Sequence, residues 1–301
     1  MSRGRAALAA LLLAATAGSA WAANSPQLCG RTTALTAAQQ DRLLRVADVV
    51  KRELEASGAR VALISRSGLD LGRFGIRYSH AGISLKGSAN APWSVRQLYF
   101  ACDEGRPRLF DQGLAGFLFG TDNPSLGYLS IVLLPPDAAD ALERTALNDS
   151  RALRLLAGSY SANAYPFALR YQNCNQWVAE LIASAWGTPE GDADARRAAQ
   201  QWLAAQGYRP EPVDVGSHLL MFAANFIPWL HSDDHPLEDL HARRFQVSLP
   251  SSIEAFVRGR LPAATRLEVC HDDRRAVVRR GGAPMADGCR PEPGDQVLAL
   301  D

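Results

Sequence analysis

Apolar positions along the chain change period several times, and each change predicts an element. Thr36-Ala-Ala-Gln39 has the spacing of a capping box, and Leu43, Val46, Ala47, Val50 and Leu54 follow at helical spacing. That predicts a helix ended by Gly58. Val61 to Ile64 is a short apolar run, as in a buried strand. Ile76 to Leu85 and Trp93 to Cys102 flank the turn-rich stretch Gly87 to Pro92, which predicts a hairpin. Arg108 to Phe110 starts another strand, Gly113 to Pro124 reads as a loop, and Tyr128 to Leu134 is a strand closed by Pro135-Pro136. Helical period returns over Asp137 to Ala157, with a break near Asn148-Asp149. Ser159 to Gln172 is irregular and aromatic. Cys174, Trp177, Val178, Leu181, Ile182 and Ala185 then form one helical stripe between Asn173, a good N-cap, and Gly187, a good stop. Asp192 to Ala205 predicts a more polar helix. His218 to Leu230 is apolar, interrupted by Asn225 and Pro228, and its run Phe222 to Leu230 reads as a buried helix in preference to a lid or docking surface. Phe245 to Leu249 predicts a strand, Ser251-Ser-Ile-Glu254 caps a helix ended by Gly259, and two small strands follow near Arg266 to Val269 and Ala276 to Val278. The mixture of helical and strand periods predicts an α+β fold.

Length and charge narrow the picture. The 301 residues carry 32 lysines and arginines against 31 acids. That balance gives no electrostatic footprint for nucleic acid. Arg3 and Arg5, the Ala/Leu run Ala6 to Ala17, and the small-x-small site Ala20-Trp21-Ala22 predict a cleaved signal peptide over residues 1–22 and a periplasmic or secreted protein. The apolar runs are too short for a stable membrane span.

The five cysteines are an odd number for an exported chain. Cys270 and Cys289 flank a short stretch and could pair, as could Cys29 and Cys102. Cys174 is then left free, and the alternative is that all five are reduced core residues. Cys174 also stands at a helix start, where partial positive charge favours the nucleophilic thiolate. A thiol nucleophile further needs a base and a group to orient it. His80 is the candidate base, beside small Ala81 and Gly82 that would let a helix end approach. Gln97 is the candidate orienter, because a turn at Gly87 to Pro92 sets His80 opposite Tyr99, with Gln97 on the same face. A slip of one residue would present Leu98 and Phe100 instead. Read singly, His80 is a satisfied histidine and Cys174 a packed thiol. The backbone N–H of Cys174 is the candidate oxyanion donor.

Ser79-His80-Ala81-Gly82-Ile83, followed far downstream by Asn173-Cys174-Asn175-Gln176-Trp177, resembles the circularly permuted papain-like proteins, in which the histidine precedes the cysteine. These include permuted NlpC-type hydrolases and lecithin:retinol acyltransferase-like enzymes. Cys29-Gly30-Arg31, Phe110-Asp-Gln-Gly113-Leu-Ala-Gly-Phe and Val247-Ser-Leu-Pro-Ser-Ser-Ile-Glu254-Ala-Phe further resemble the exported bacterial family called domain of unknown function 2145. The resemblance implies a permuted papain-like domain over residues 23–258, a small antiparallel sheet with packed helices, with a C-terminal extension at 259–301. It also implies a Cys174–His80 thiol site cleaving or transferring at an amide or ester bond, with no cofactor. Cell-wall peptides or acyl substrates are the partners it suggests.

Two other classes stay open. One is a non-catalytic binding or envelope-assembly protein of the same fold. The other is a metal-dependent hydrolase built on His231, Asp233, Asp234, His235, Asp239 and His241, against the reading of that run as a polar loop. Trp93, Tyr99, Phe110, Phe117, Phe119, Tyr165, Phe167 and Tyr171 are core or groove lining. Arg274-Arg275 and Arg279-Arg280 read as a solvated hairpin face.

Overall fold

Thr36 opens helix α1 (Ala37–Ala56) with both arms of the capping box: its hydroxyl accepts from Gln39 N–H, and its own N–H donates to Gln39 Oε1. The computed structural model to which this helix belongs describes residues 35–187 and 194–300. Cys29 and the signal segment 1–22 lie outside them.

The strands are β1 (Val61–Arg66), β2 (His80–Leu85), β3 (Ser94–Ala101), β4 (Arg106–Gln112), β5 (Gly127–Leu133), β6 (Glu211–Asp214), β7 (Arg244–Val247), β8 (Thr265–His271), β9 (Arg275–Arg280) and β10 (Gln296–Ala299). The helices after α1 are α2 (Leu114–Phe119), α3 (Pro136–Leu147), α4 (Asp149–Arg154), α5 (Cys174–Trp186), α6 (Ala195–Ala205), α7 (His218–Ala224), α8 (Leu237–His241) and α9 (Pro250–Arg260). Eight strands form one antiparallel sheet in the order β10-β9-β8-β5-β1-β2-β3-β4, and β6 and β7 pair separately.

The α+β class agrees with the pattern reading, but the sheet is larger than expected. The short apolar runs near the C-terminus are longer strands, and β8 docks on β5, extending the sheet beyond what would otherwise be its edge. Local pattern predicts β5 and β8 but not this long-range pairing, and it marks neither β6 nor β10. The stretch expected as a loop after Gly113 instead winds into α2, which buries Leu114, Phe117 and Leu118.

Pleating sorts the central strands into two cores. Val61 and Leu63 of β1, with Ala81, Ile83 and Leu85 of β2 and Leu98 of β3, face α3 and α5. Ala62 and Ile64, with Trp93, Val95 and Ile131, face α1 and α2. Because both faces are covered, β1 and β2 are buried along their whole length, and β1 reads as an apolar run with no clean alternation. Helix α5 is buried almost throughout, including its one carboxylate. Glu180 accepts from Gln172, Gln200 and both arms of Arg196, which ties α5 to α6 and to the stretch leading into it.

Around α7 the expectation of a buried helix fails: Leu219, Phe222 and Phe226 are 75%, 61% and 74% exposed. Pro228 and Asn225 stop the helix after two turns, too short to fold its apolar face back on a core. The C-terminal arginines are not a uniformly solvated face either. Arg279 is buried and paired with Asp295 and Glu292, and Arg280 holds Glu53. No helix among the described residues is long and apolar enough to cross a membrane.

Cys270 and Cys289 form a disulfide across a sequence separation of 19, the pairing that their spacing left open. Closing a loop of that size contributes about 3 kcal/mol through the unfolded chain. The double variant Cys270→Ala/Cys289→Ala should therefore lose about 3 kcal/mol in urea unfolding. An unchanged midpoint would show that the tail is held by β8 and β9 alone.

Candidate active site

The site is built where β2 and β3 part. Their ladder runs from Leu85–Ser94 to Ile83–Arg96 and stops there, so the start of β2 has no backbone partner on its β3 side. Those backbone groups are buried or part-buried and must be paired. Asn175, the second residue of α5, supplies both partners. Its Oδ1 accepts from Ala81 N–H at 2.9 Å, and its Nδ2 donates to the Ser79 carbonyl at 3.1 Å. One amide thus brackets His80 and pins the first turn of α5 to it. Gly82 makes room, since a Cβ there would collide with Val95 and the Arg96 carbonyl.

Asn173 caps the same helix by accepting from Gln176 N–H at 2.6 Å. Its Nδ2 reaches the Ala162 and Ser248 carbonyls. Cys174, between the two asparagines, is the free cysteine among the described residues, and it is buried. Cys102 is disulfide-bonded.

His80 stacks on Tyr99 with ring centroids 4.6 Å apart, and Phe117 closes the slot at 5.9 Å. Its Nε2 lies 2.8 Å from Gln97 Oε1. Gln97 Nε2 in turn donates to Gln112 Oε1 at 2.7 Å. With Gln97 Nε2 donating to Gln112, the network assigns Gln97 Oε1 as an acceptor toward the ring and the imidazole proton to Nε2. Nδ1 is left as the basic nitrogen. The register with Tyr99 and Gln97, not the one-residue slip to Leu98 and Phe100, is the one formed. Gln112 was not singled out by sequence reasoning, although it sits in the Phe110-Asp-Gln-Gly113 segment. Asn175 was likewise visible only as part of the cysteine motif.

The pleat sets His80, paired with Arg66, on the sheet face of Phe117, whereas the body of α5 covers the other face. At the parting of β2 and β3 it is the Asn175 amide, from the start of α5, that reaches the backbone on either side of His80. No hydrogen bond joins Cys174 Sγ to the imidazole among the described contacts; the ring nitrogen that is engaged turns to Gln97.

The expected thiolate is not the resting form. Burial pushes the Cys174 thiol up to about 12, against the opposing pull of the Asn175 and Cys174 backbone N–H groups and the Arg66 charge. A shift from 9 to 12 is worth about 4 kcal/mol, which exceeds the 0.3–1 kcal/mol typical of a helix terminus. Burial and then Arg66 push His80 down to about 3, although Gln97 favours the charged ring. The pair rests as neutral thiol and neutral imidazole.

The histidine–aspartate run offers no comparable convergence. His235 Nε2 bonds the Asn163 carbonyl at 2.7 Å, and Asp234 accepts from Tyr165 N–H. His231 stacks on Tyr171, Asp233 pairs with Arg170, and Asp239 accepts from Arg244 and Gln246. Among the described residues no three metal-ligating side chains gather. An open depression of about 340 Å³ borders this run at Asp239 and is lined further by Tyr208, Arg209, Pro212, Arg244 and Gln246.

Two outcomes follow from the ionisation states. Cys174 in the native protein should alkylate at pH 7.5 at least about a hundredfold slower than in urea, because so little is thiolate. Equal rates would contradict the buried neutral thiol. His80 binds protons in the unfolded chain near 6.5 but in the folded one only near 3, so its contribution is full above pH 6.5 and is lost as pH falls toward 3. Between pH 7 and pH 5 the wild type should lose about 2 kcal/mol more unfolding free energy than His80→Gln. Matching losses would sink the assignment.

No curated protein and no solved structure matches the chain. A family model described as "Uncharacterized protein conserved in bacteria (DUF2145)" matches residues 53–257, a span that holds His80, Gln97, Asn175 and Cys174. The match covers more than half of the sequence, and the chain belongs to this family.

Proposed function

We propose that this is an exported thiol hydrolase or acyltransferase of permuted papain-like type, acting on an amide or ester bond. The observation that carries the reading is the His80–Gln97–Gln112 relay, which aims one imidazole nitrogen away from solvent and leaves the other basic. The Asn175 clamp supports it by holding the cysteine-bearing helix start against the same strand.

In the proposed reaction Cys174 Sγ attacks the carbonyl carbon as its proton passes to His80 Nδ1. The carbonyl electron pair moves to oxygen, where the Cys174 N–H can donate. The imidazolium returns the proton to the leaving amine or alkoxide as that bond breaks. Water, or another acceptor, then attacks the thioester with His80 again as base. Both groups start neutral, so this is general-base attack and not attack by a standing ion pair. The sulfur–imidazole bond forms on substrate binding, as such contacts tighten in the reacting complex. Cell-wall peptides are the substrate class for which export argues.

A second reading is a binding protein without turnover, and the protonated, buried thiol favours it. Turnover on a panel of peptide amides and activated esters separates the two. Cys174→Ala and His80→Ala should fall at least about a hundredfold, and Gln97→Ala about tenfold. Activity that survives both substitutions, or its absence from every preparation and substrate, would favour the binding protein.

A further inference from the structure

Arg66, the last residue of β1, is 4% exposed, yet no carboxylate forms an ion pair with it among the described residues. A buried charge without a counterion is costly, so its retention calls for a reason. Its surroundings are built for it. Nη2 donates to the Tyr99 hydroxyl at 2.7 Å, and Nη1 donates to the Gly120 carbonyl. The guanidinium carbon lies 5.2 Å from the centroid of the Phe117 ring. A Cβ on Gly68 or Gly120 would overlap the guanidinium, so both glycines leave the space it fills.

Tyr99 and Phe117 are the two aromatic neighbours of the His80 ring. Arg66 holds the first by a hydrogen bond and the second by its charge, and it is also the β1 partner of His80. We propose that Arg66 is the positioning residue of this site: it clamps both walls of the His80 slot and fixes one uncompensated positive charge beside imidazole and thiol. The assignment deepens the thiol-hydrolase reading and rests on it.

The charge acts on the two groups in one electrostatic direction. It opposes protonation of His80 and favours ionisation of Cys174. From the packed elements, the titratable or charged groups at the slot are Arg66 on β1, Tyr99 on β3 and Cys174 on α5, with Tyr160, whose own ionisation Cys174 and Tyr99 oppose. Arg66 is the only permanent charge in that set. During attack it favours negative charge on sulfur and disfavours a lasting imidazolium, which hastens return of the proton to the leaving group.

The test compares wild type, Arg66→Met and Arg66→Lys by two readouts that need no substrate. One is the pH midpoint of the His80 imidazole followed by NMR, and the other is the alkylation rate of Cys174 by iodoacetamide at pH 8.5. In Arg66→Met the His80 midpoint should rise by about one unit or more while Cys174 labels severalfold more slowly. Arg66→Lys should stay near wild type in both. Mere loosening of the site would raise the midpoint but speed labelling, so faster labelling overturns the proposal, as does an unmoved midpoint. If Arg66→Met does not fold, Arg66→Gln is read by the same two criteria. Absent turnover with both shifts present would sink the hydrolase reading and leave the placement of the charge standing.

Discussion

The amide of Asn175 is the constraint on which the site depends. A strand that parts from its neighbour leaves a part-buried carbonyl and a buried N–H, and the buried group would cost about 1–3 kcal/mol unpaired. One side chain satisfies both at Ser79 and Ala81, and it does so from the first turn of a helix. The fold therefore cannot keep β2 open without placing the N-terminus of α5 there. The opening is what lets a residue from one sheet face approach a helix on the other. Gly82 and Ala81 matter for the same reason, since larger side chains would force the strands or the helix apart.

Burial decides the electrostatics around that junction. It outweighs the helix terminus at Cys174 and the hydrogen bond from Gln97 at His80, so neither group is charged at neutral pH. The surviving permanent charge is Arg66, held by carbonyl and hydroxyl groups and an aromatic face in place of a carboxylate. A carboxylate there would cancel its field and favour a protonated imidazole. The relay through Gln97 and Gln112, neutral throughout, orients the ring without adding charge.

Much of this was legible in the chain. The capping box at Thr36 and the helix opening at Cys174 follow from spacing alone, and the pairing of Cys270 with Cys289 is one that their spacing allows. Gln97 follows from the period-two alternation of a hairpin once its turn is placed. What the sequence hides is long-range or energetic. The docking of β8 on β5 joins segments more than a hundred residues apart, and no local pattern marks it. Arg66 reads as the polar end of an apolar run, and only the folded chain shows Gly68 and Gly120 shaped around it. The helix dipole suggested a thiolate because the depth of burial, the larger influence, is not a sequence property. At α7 the apolar pattern was plain, but its shortness left Leu219 and Phe226 in solvent.

The central claim is that a neutral thiol, Cys174, and a neutral imidazole, His80, act together as nucleophile and base. Its most direct measurement is mass spectrometry of protein quenched during reaction with an activated acyl ester, followed by mapping of the modified peptide. The account predicts a single transient acyl group on Cys174 whose formation slows at least about a hundredfold in His80→Ala. An acyl group elsewhere, or one that forms on Cys174 at the same rate without His80, would contradict it.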